Sequence, residues 1–205
     1  MSAKVHHPLR EAAWLRGTRR LPYVAFVEDA LPAALCDGLV ARIEAEAPAL
    51  APINVAGGAV VDTRVRNNER VMFDDAALAA ELFACTRGFV PDELDDARLC
   101  GFNERFRGYR YRNGQRFAPH FDGAYHRPPT ARGREGSQVT LLFYLNDGFS
   151  GGETRLIDYE VTIAPKKGAV LFFEHAMLHE GCAVTAGTKY VLRSDAMYWF
   201  EGEAR

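Results

Sequence analysis

From about residue 100 onward the chain breaks into short β-rich runs, roughly 102–111, 117–122, 138–145, 153–157, 161–163, 169–174 and 188–200. Gly148, Gly151-Gly152, Pro165, Gly168 and Gly187 punctuate them. Parallel α/β units would need a helix between successive strands, so this spacing suggests an antiparallel sandwich or jelly roll instead. The first hundred residues have a different texture. They begin polar and basic, then turn into a strand pattern over 21–27. Leu35, Leu39 and Ile43 recur every fourth residue and predict a helix over about 32–47, with Pro32 suited to its first turn and Pro48 ending it. Gly57-Gly58 marks a turn, and 60–72 reads as extended with the polar run Arg66-Asn67-Asn68-Glu69-Arg70 inside it. Asp74 or Asp75 can cap a second helix carrying Leu78, Leu82 and Phe89, ended by Pro91.

Composition narrows the function classes. At 205 residues the chain fits one domain, expected over 1–205, with 1–99 as helical and strand support for a core at 100–200. Twenty-five basic against 27 acidic residues leave a net charge of −2, which argues against a nucleic-acid coat or a polybasic membrane anchor. No apolar run approaches the ~20 residues of a membrane helix, and the stretch from Met1 to Pro8 has no apolar core or cleavage pattern of a secretory leader. Cys36, Cys85, Cys100 and Cys182 are scattered and form no C-x-x-C, so reduced thiols in a cytoplasmic protein are expected.

Three constellations can carry chemistry. In His120-Phe121-Asp122 the first and third residues project to one face of a strand, so an imidazole and a carboxylate reach one point. His179 follows the apolar run 169–173. Placed beside the first pair, it would complete two histidines and one carboxylate on one face of a metal, the ligand set of non-haem Fe(II) oxygenases. Lys189 and Arg193 lie four apart on a strand pattern and share a face with Asp195. Cations on an apolar strand need partners; these bind either the internal carboxylate or an anionic ligand. His175, four before His179, invites a zinc-protease reading, but Ala176 stands where that motif needs Glu. Arg105, Arg107, Tyr109 and Tyr111 alternate onto one face, either a solvated face or a pocket wall. Arg66, Asn67, Asn68 and Arg70 are either an exposed turn or a second wall. His6, His7 and His126 read as surface residues, and Lys166-Lys167 as a turn tip. Residues 123–137, which contain Pro128, Pro129, Gly133 and Gly136 with scattered arginines, read as a long mobile loop, expected to close as a lid over substrate.

In this order the set resembles the 2-oxoglutarate- and Fe(II)-dependent oxygenases, in particular their prolyl-4-hydroxylase-like branch. The resemblance rests on His120-x-Asp122, His179 and Lys189 ten residues later. Flanking segments agree: Tyr111 to His120 before the first ligand, Thr140 to Asn146 as the central strand, Gly151-Gly152-Glu153-Thr154 as a turn, and His179-Glu180-Gly181 with Val184 and Gly187. It covers about 100–200. It implies a mainly β (α+β) fold, a double-stranded β-helix (jelly roll) core with packed N-terminal helices. It also implies Fe(II) held by His120, Asp122 and His179, 2-oxoglutarate as co-substrate, and ascorbate as a supporting reductant. Lys189 maps to the cation for the far carboxylate of 2-oxoglutarate, Tyr144 to its hydrogen-bond partner and Tyr111 to the pocket wall. Arg193 is a departure, free to share that role, touch substrate or pair with Asp195. A carboxylate at Asp122 disfavours halogenation, which needs that coordination position for halide. The implied activity is hydroxylation of a C–H bond, first of all in a prolyl residue of a peptide or protein. A free amino acid or other small metabolite stays open as substrate, as does a non-catalytic metal or 2-oxoglutarate sensor. A basic wall would suit an acidic substrate. No nucleic-acid or membrane partner is expected, and the oligomeric state is left open.

Overall fold

The computed structural model describes residues 3–9, 21–56, 58–130 and 133–200. The basic stretch 10–20, Gly57 of the expected turn, and residues 131 and 132 of the expected loop lie outside them. Helix α1 spans Ala33–Ala45 with Pro32 as its N-cap, and buries Cys36, Leu39 and Ile43. Helix α2 spans Ala76–Thr86. Asp75 caps it by accepting from the Leu78 backbone N–H at 2.9 Å, and the Arg42 guanidinium of α1 donates to the same carboxylate at 2.6 Å. Phe89 falls outside α2, in the tighter 3-10 turn Arg87–Phe89.

The strands form two antiparallel sheets that matter for the site. The larger runs Lys4–His6, Val24–Glu28, Val170–Glu174, Arg134–Tyr144, Lys189–Phe200, Arg105–Tyr111, Glu69–Asp74, Ala49–Leu50, with Ala97–Phe102 beside the far half of Lys189–Phe200. The smaller runs Phe117–His120, His179–Gly181, Thr154–Leu156, Val161–Ile163. Period-two alternation sorts the side chains. On Lys189–Phe200, Leu192, Ala196 and Tyr198 join the core against the helices, whereas Val191 joins the core between the sheets. Lys189, Arg193 and Asp195 share the Val191 face. On Arg134–Tyr144, Val139, Leu141 and Phe143 face the helices, and Leu142 and Tyr144 face the second sheet. This is the expected double-stranded β-helix with helices on one side, and its inter-sheet core is the one that carries charge.

Several boundaries differ from the sequence reading, each for a local reason. The run 102–111 is two strands, because the Asn103 backbone N–H turns to the Asp195 carbonyl at 2.8 Å and its side chain caps the Arg105 N–H at 3.0 Å. Residues 60–72 are not continuously extended: the Val65 and Arg66 N–H groups close a turn on the Asp62 carbonyl, and the strand begins at Glu69. The largest difference is in 123–137. Residues 134–137 belong to the long strand Arg134–Tyr144. Arg127 holds the rest, its Nη1 donating to Glu104 at 2.8 Å and its Nε to Glu135 at 2.8 Å. The Ser137 N–H donates to the Tyr125 carbonyl at 2.8 Å. Ion pairs and backbone bonds anchor the described residues of this segment, where its composition offers no apolar face.

The Asp75 cap gives the first prediction. Asp75→Ala loses a side-chain cap and the tie between α1 and α2, and should lower stability by about 1 kcal/mol. Urea unfolding should show a lower midpoint at unchanged slope.

Candidate active site

His120 and His179 occupy directly paired positions on adjacent strands of the smaller sheet. Their rings are 4.2 Å apart, centroid to centroid. Each Nδ1 lies against a carbonyl two residues earlier: His120 on Ala118 at 2.9 Å, His179 on Met177 at 3.0 Å. A carbonyl only accepts, so both rings carry their proton on Nδ1 and present a bare Nε2. Asp122 follows the end of the first strand and faces both, with Oδ1 3.9 Å from His120 Nε2 and Oδ2 3.6 Å from His179 Nε2. The three ligand atoms lie within 4.8 Å of one another. Burial pushes His120 down to about 4 and His179 below its ordinary value, so both are neutral near pH 7. Burial alone would raise the Asp122 carboxyl, but the Arg193 guanidinium, and after it the His179 and His120 rings, hold it well below the usual carboxylate range. Two neutral imidazoles and one carboxylate, each oriented by a second bond, are the donor set that suits Fe(II).

Asp122 is oriented from behind by residues the sequence reading did not select. Thr140 Oγ1 donates to Asp122 Oδ2 at 2.6 Å. Its single proton is then spent, so His175 Nδ1, 2.9 Å away, donates to Thr140. His175 Nε2 in turn accepts from Ser137 Oγ at 2.8 Å. Burial lowers the His175 pKa, consistent with this neutral form. Thr140 was legible in principle, since it lies four before Tyr144 on a strand and shares its face.

Lys189 lies in the opposite sheet, 2% exposed. Its Nζ donates to the Gly152 carbonyl at 2.5 Å and sits 5.2 and 5.5 Å from the Tyr111 and Tyr144 ring centroids. No carboxylate among the described residues is within ion-pair distance of it, and burial pushes the ammonium down to about 8. Tyr144 and Thr154 share a hydroxyl hydrogen bond at 2.8 Å. The triad, Lys189, Tyr111, Tyr144 and Thr154 line one narrow pocket of about 40 Å³. A buried ammonium with no counter-charge at one end of a pocket, and a metal-type triad at the other, fits a small dianion that chelates through one end. Those are the requirements of 2-oxoglutarate.

Arg193 has a different position. Its Nη2 lies 2.9 Å from Asp195 Oδ1 and 3.2 Å from Asp122 Oδ1, and Asp195 also faces Arg107 at 3.4 Å. Of the alternatives raised for Arg193, its polar contacts among the described residues include the Asp195 pair, Asp122 and the Tyr109 hydroxyl. On that side the triad opens into a second space, a groove of about 560 Å³ that also reaches Arg66, Arg70 and Tyr109. Arg66 and Asn68, read as an exposed turn or a wall, are buried, with Arg66 Nε donating to Asn68 Oδ1 at 3.0 Å. Arg107 and Tyr109 belong to this wall; Arg105 turns away to Asp74 at 2.9 Å.

The Gly-Gly turn explains how Lys189 is received. Gly151 and Gly152 have φ of +70° and +71°, and a Cβ on Gly151 would stand 2.4 Å from the Ala183 carbonyl oxygen. Gly151→Ala should therefore destabilise the protein by about 1–2 kcal/mol or more, seen as a lower thermal midpoint.

Residues 106–201 match the sequence model of the 2OG-Fe(II) oxygenase superfamily. Prolyl 4-hydroxylase subunit alpha-1 of Bos taurus is 31% identical over 93 residues, which is 40% of this chain and 17% of that protein. The chicken (Gallus gallus) subunit alpha-2 is 31% identical over 91 residues. The chain thus spans about a sixth of the length of these curated relatives. The fold is similar to that of a viral collagen prolyl hydroxylase from Paramecium Bursaria Chlorella virus-1, with a TM-score of 0.60 at 22% identity, covering 86% of this chain and 96% of that one. It is also similar to a Trichoplax adhaerens prolyl hydroxylase in complex with a hypoxia inducible factor oxygen degradation domain peptide fragment. There the TM-score is 0.61 at 17% identity, covering 87% of this chain and 83% of that one.

Proposed function

We propose that this chain, whose residues 106–201 match the sequence model of the 2OG-Fe(II) oxygenase superfamily, hydroxylates a prolyl residue of a peptide or protein. The observation that carries the reading is the placement of one His-Asp-His triad between two spaces, a pocket closed by an unpaired buried lysine and an open groove. In this reading 1–205 acts as one oxygenase domain in which 1–99 supports 100–200. His120, Asp122 and His179 hold Fe(II). Lys189, with Tyr144 and Tyr111 beside it, receives the far carboxylate of 2-oxoglutarate. When bound, the metal and co-substrate supply the oxidation: dioxygen gives one oxygen atom to the substrate C–H and one to succinate, with release of carbon dioxide.

The chain's own residues position and shield. The Ala118 and Met177 carbonyls fix the histidine tautomers, so both Nε2 lone pairs face one point. Thr140 and Arg193 hold the Asp122 carboxylate in one rotamer and keep it ionised. Lys189 acts from a dry site where its charge is worth more than in water. Tyr111, Tyr144 and Val191 keep water from the pocket walls. The groove leaves room for substrate beside the triad without displacing the co-substrate. Among the described residues no helix is long and apolar enough to cross a membrane. The four cysteines are free, which suits a reducing compartment such as the cytoplasm. Ascorbate would serve to keep the iron reduced.

The direct test is succinate formation from 2-oxoglutarate, with and without proline-containing peptides, with product read by mass. Substrate-dependent succinate with a mass gain of one oxygen is expected. Tight metal and 2-oxoglutarate binding without turnover would favour a sensor. Asp122→Ala should lose most bound iron, measured by elemental analysis after desalting; unchanged iron content would count against its role.

Lys189→Ala should raise the 2-oxoglutarate requirement about 10- to 100-fold, the value of a charge-assisted hydrogen bond in a buried pocket, while iron content stays near wild type. The pH dependence follows from the lowered ammonium. Before co-substrate binds, Lys189 is charged below about pH 8 and neutral above it. A dianion binds the charged form and raises its pKa. Affinity for 2-oxoglutarate should therefore be flat below about pH 8 and fall by up to about tenfold per pH unit above it. Calorimetric titration across this range checks the sign; affinity rising with pH would exclude an ammonium anchor.

A further inference from the structure

The groove on the open side of the triad carries more positive charge than the protein neutralises. Arg66, Arg70, Arg107 and Arg193 line it, against one lining carboxylate, Asp122. Asp195 serves Arg107 and Arg193 from behind. Arg66 and Arg70 have no carboxylate within ion-pair distance among the described residues. Arg66 is 4% exposed, stacked over Phe117 at 4.0 Å and near Tyr109 at 5.1 Å. Its Nε is used by Asn68, and its Nη2 is buried with no hydrogen-bond partner. A buried guanidinium with an unused donor is costly, and proteins leave one chiefly where a ligand completes it. The neighbouring charges are felt locally. Burial would raise the Tyr109 phenol, yet Arg66, Arg193 and Arg107 outweigh it and hold it below its ordinary value. Burial, with Arg66, Arg107 and Arg193 as the nearest cations, also lowers the Arg70 pKa.

We infer that the substrate is anionic, and that its carboxylate is gripped by Arg66 and Arg70 while the carbon to be oxidised faces His120 and Asp122 in the same groove. This rests on the hydroxylase reading above and narrows its substrate class. A guanidinium offers two parallel N–H groups to a carboxylate, so the free Nη2 sets orientation as well as affinity. The Phe117 ring, stacked on His120 at 3.5 Å and under Arg66, fixes the distance between the anion grip and the triad. The carboxylate can come from an acidic side chain beside a prolyl residue or from the α-carboxylate of the oxidised amino acid itself.

Binding and turnover are measured separately on the full chain. Calorimetry uses two isosteric pairs: a proline peptide with flanking aspartates against its asparagine counterpart, and N-acetylproline against N-acetylprolinamide. The carboxylate member of at least one pair should bind about 10- to 100-fold tighter than its amide, weaken with added salt, and lose most of that advantage in Arg70→Gln and Arg66→Gln. Preference within the peptide pair assigns the anion to a flanking side chain; preference within the second pair assigns it to the α-carboxylate. Equal affinity within both pairs, no binding by any probe, or an advantage untouched in Arg70→Gln would overturn the inference. If Arg66→Gln fails to fold, the wild-type pairs and the half-buried Arg70 still decide. An intact affinity gap without succinate formation would support the anion grip and count against the hydroxylase reading.

Discussion

Charge buried between two sheets destabilises a fold unless every charge finds a partner, and the arrangement around the triad follows from that constraint. On one face of the Lys189–Phe200 strand, Lys189, Arg193 and Asp195 are at most 8% exposed. Asp195 neutralises Arg193 and leans on Arg107, and Arg193 reaches past it to Asp122. The carboxylate that completes the triad is therefore part of an ion-pair chain rooted in the central strand. Removing a member of such a chain leaves an uncompensated charge, which is far more costly than losing a surface pair. Lys189 stands outside the chain, with a carbonyl and two aromatic rings for company.

The two sheets divide the work. The smaller sheet presents His120 and His179 at paired positions, so one hydrogen-bonded ladder sets their separation. The larger sheet supplies Lys189, Tyr144, Tyr111, Thr140 and Arg193, the residues that face the histidines across the core. Both sets sit on strands or at strand ends, which hold side chains more tightly than loops do. The helices contribute no lining residue to either space. They cover the opposite face of the larger sheet, where α1 closes over Gly108 so nearly that a Cβ there would stand 2.6 Å from Ile43.

Much of this was legible because period-two alternation is a local rule. His120 with Asp122, and Lys189 with Arg193 and Asp195, could be put on common faces from spacing alone. The helices were legible from their four-residue repeat, and the Asp75 cap from its residue type. Which face met which sheet was not, since that depends on pairings far apart in the chain. His179–Gly181 is only three residues long, too short for a pattern, and its pairing with Phe117–His120 crosses some sixty positions. Residues 123–137 misled for a related reason. Loop composition predicts looseness, but Arg127 is tied to Glu104, 23 residues earlier. His175 was set aside because Ala176 stands where a protease motif needs Glu; its bonds to Thr140 and Ser137 are visible only once the strands Arg134–Tyr144 and Val170–Glu174 are paired.

The contrast between the two spaces around the triad is the last consequence of charge balance. In the pocket the surplus is one ammonium, compact and able to lose its proton near pH 8, a partner for a single carboxylate at the end of a short chain. In the groove the surplus is borne by arginines, which stay charged at any working pH and offer flat, directional forks. Asp122 lies between these two positive regions and is held ionised by the nearer one. The triad can thus keep a negatively charged member in a largely buried site without sharing a proton with its histidines. An anion entering either space meets positive charge that the fold has already placed and left unpaired. Occupancy of both should then tighten the site, because each new carboxylate removes a repulsion among the cations around the triad that the empty protein has to sustain.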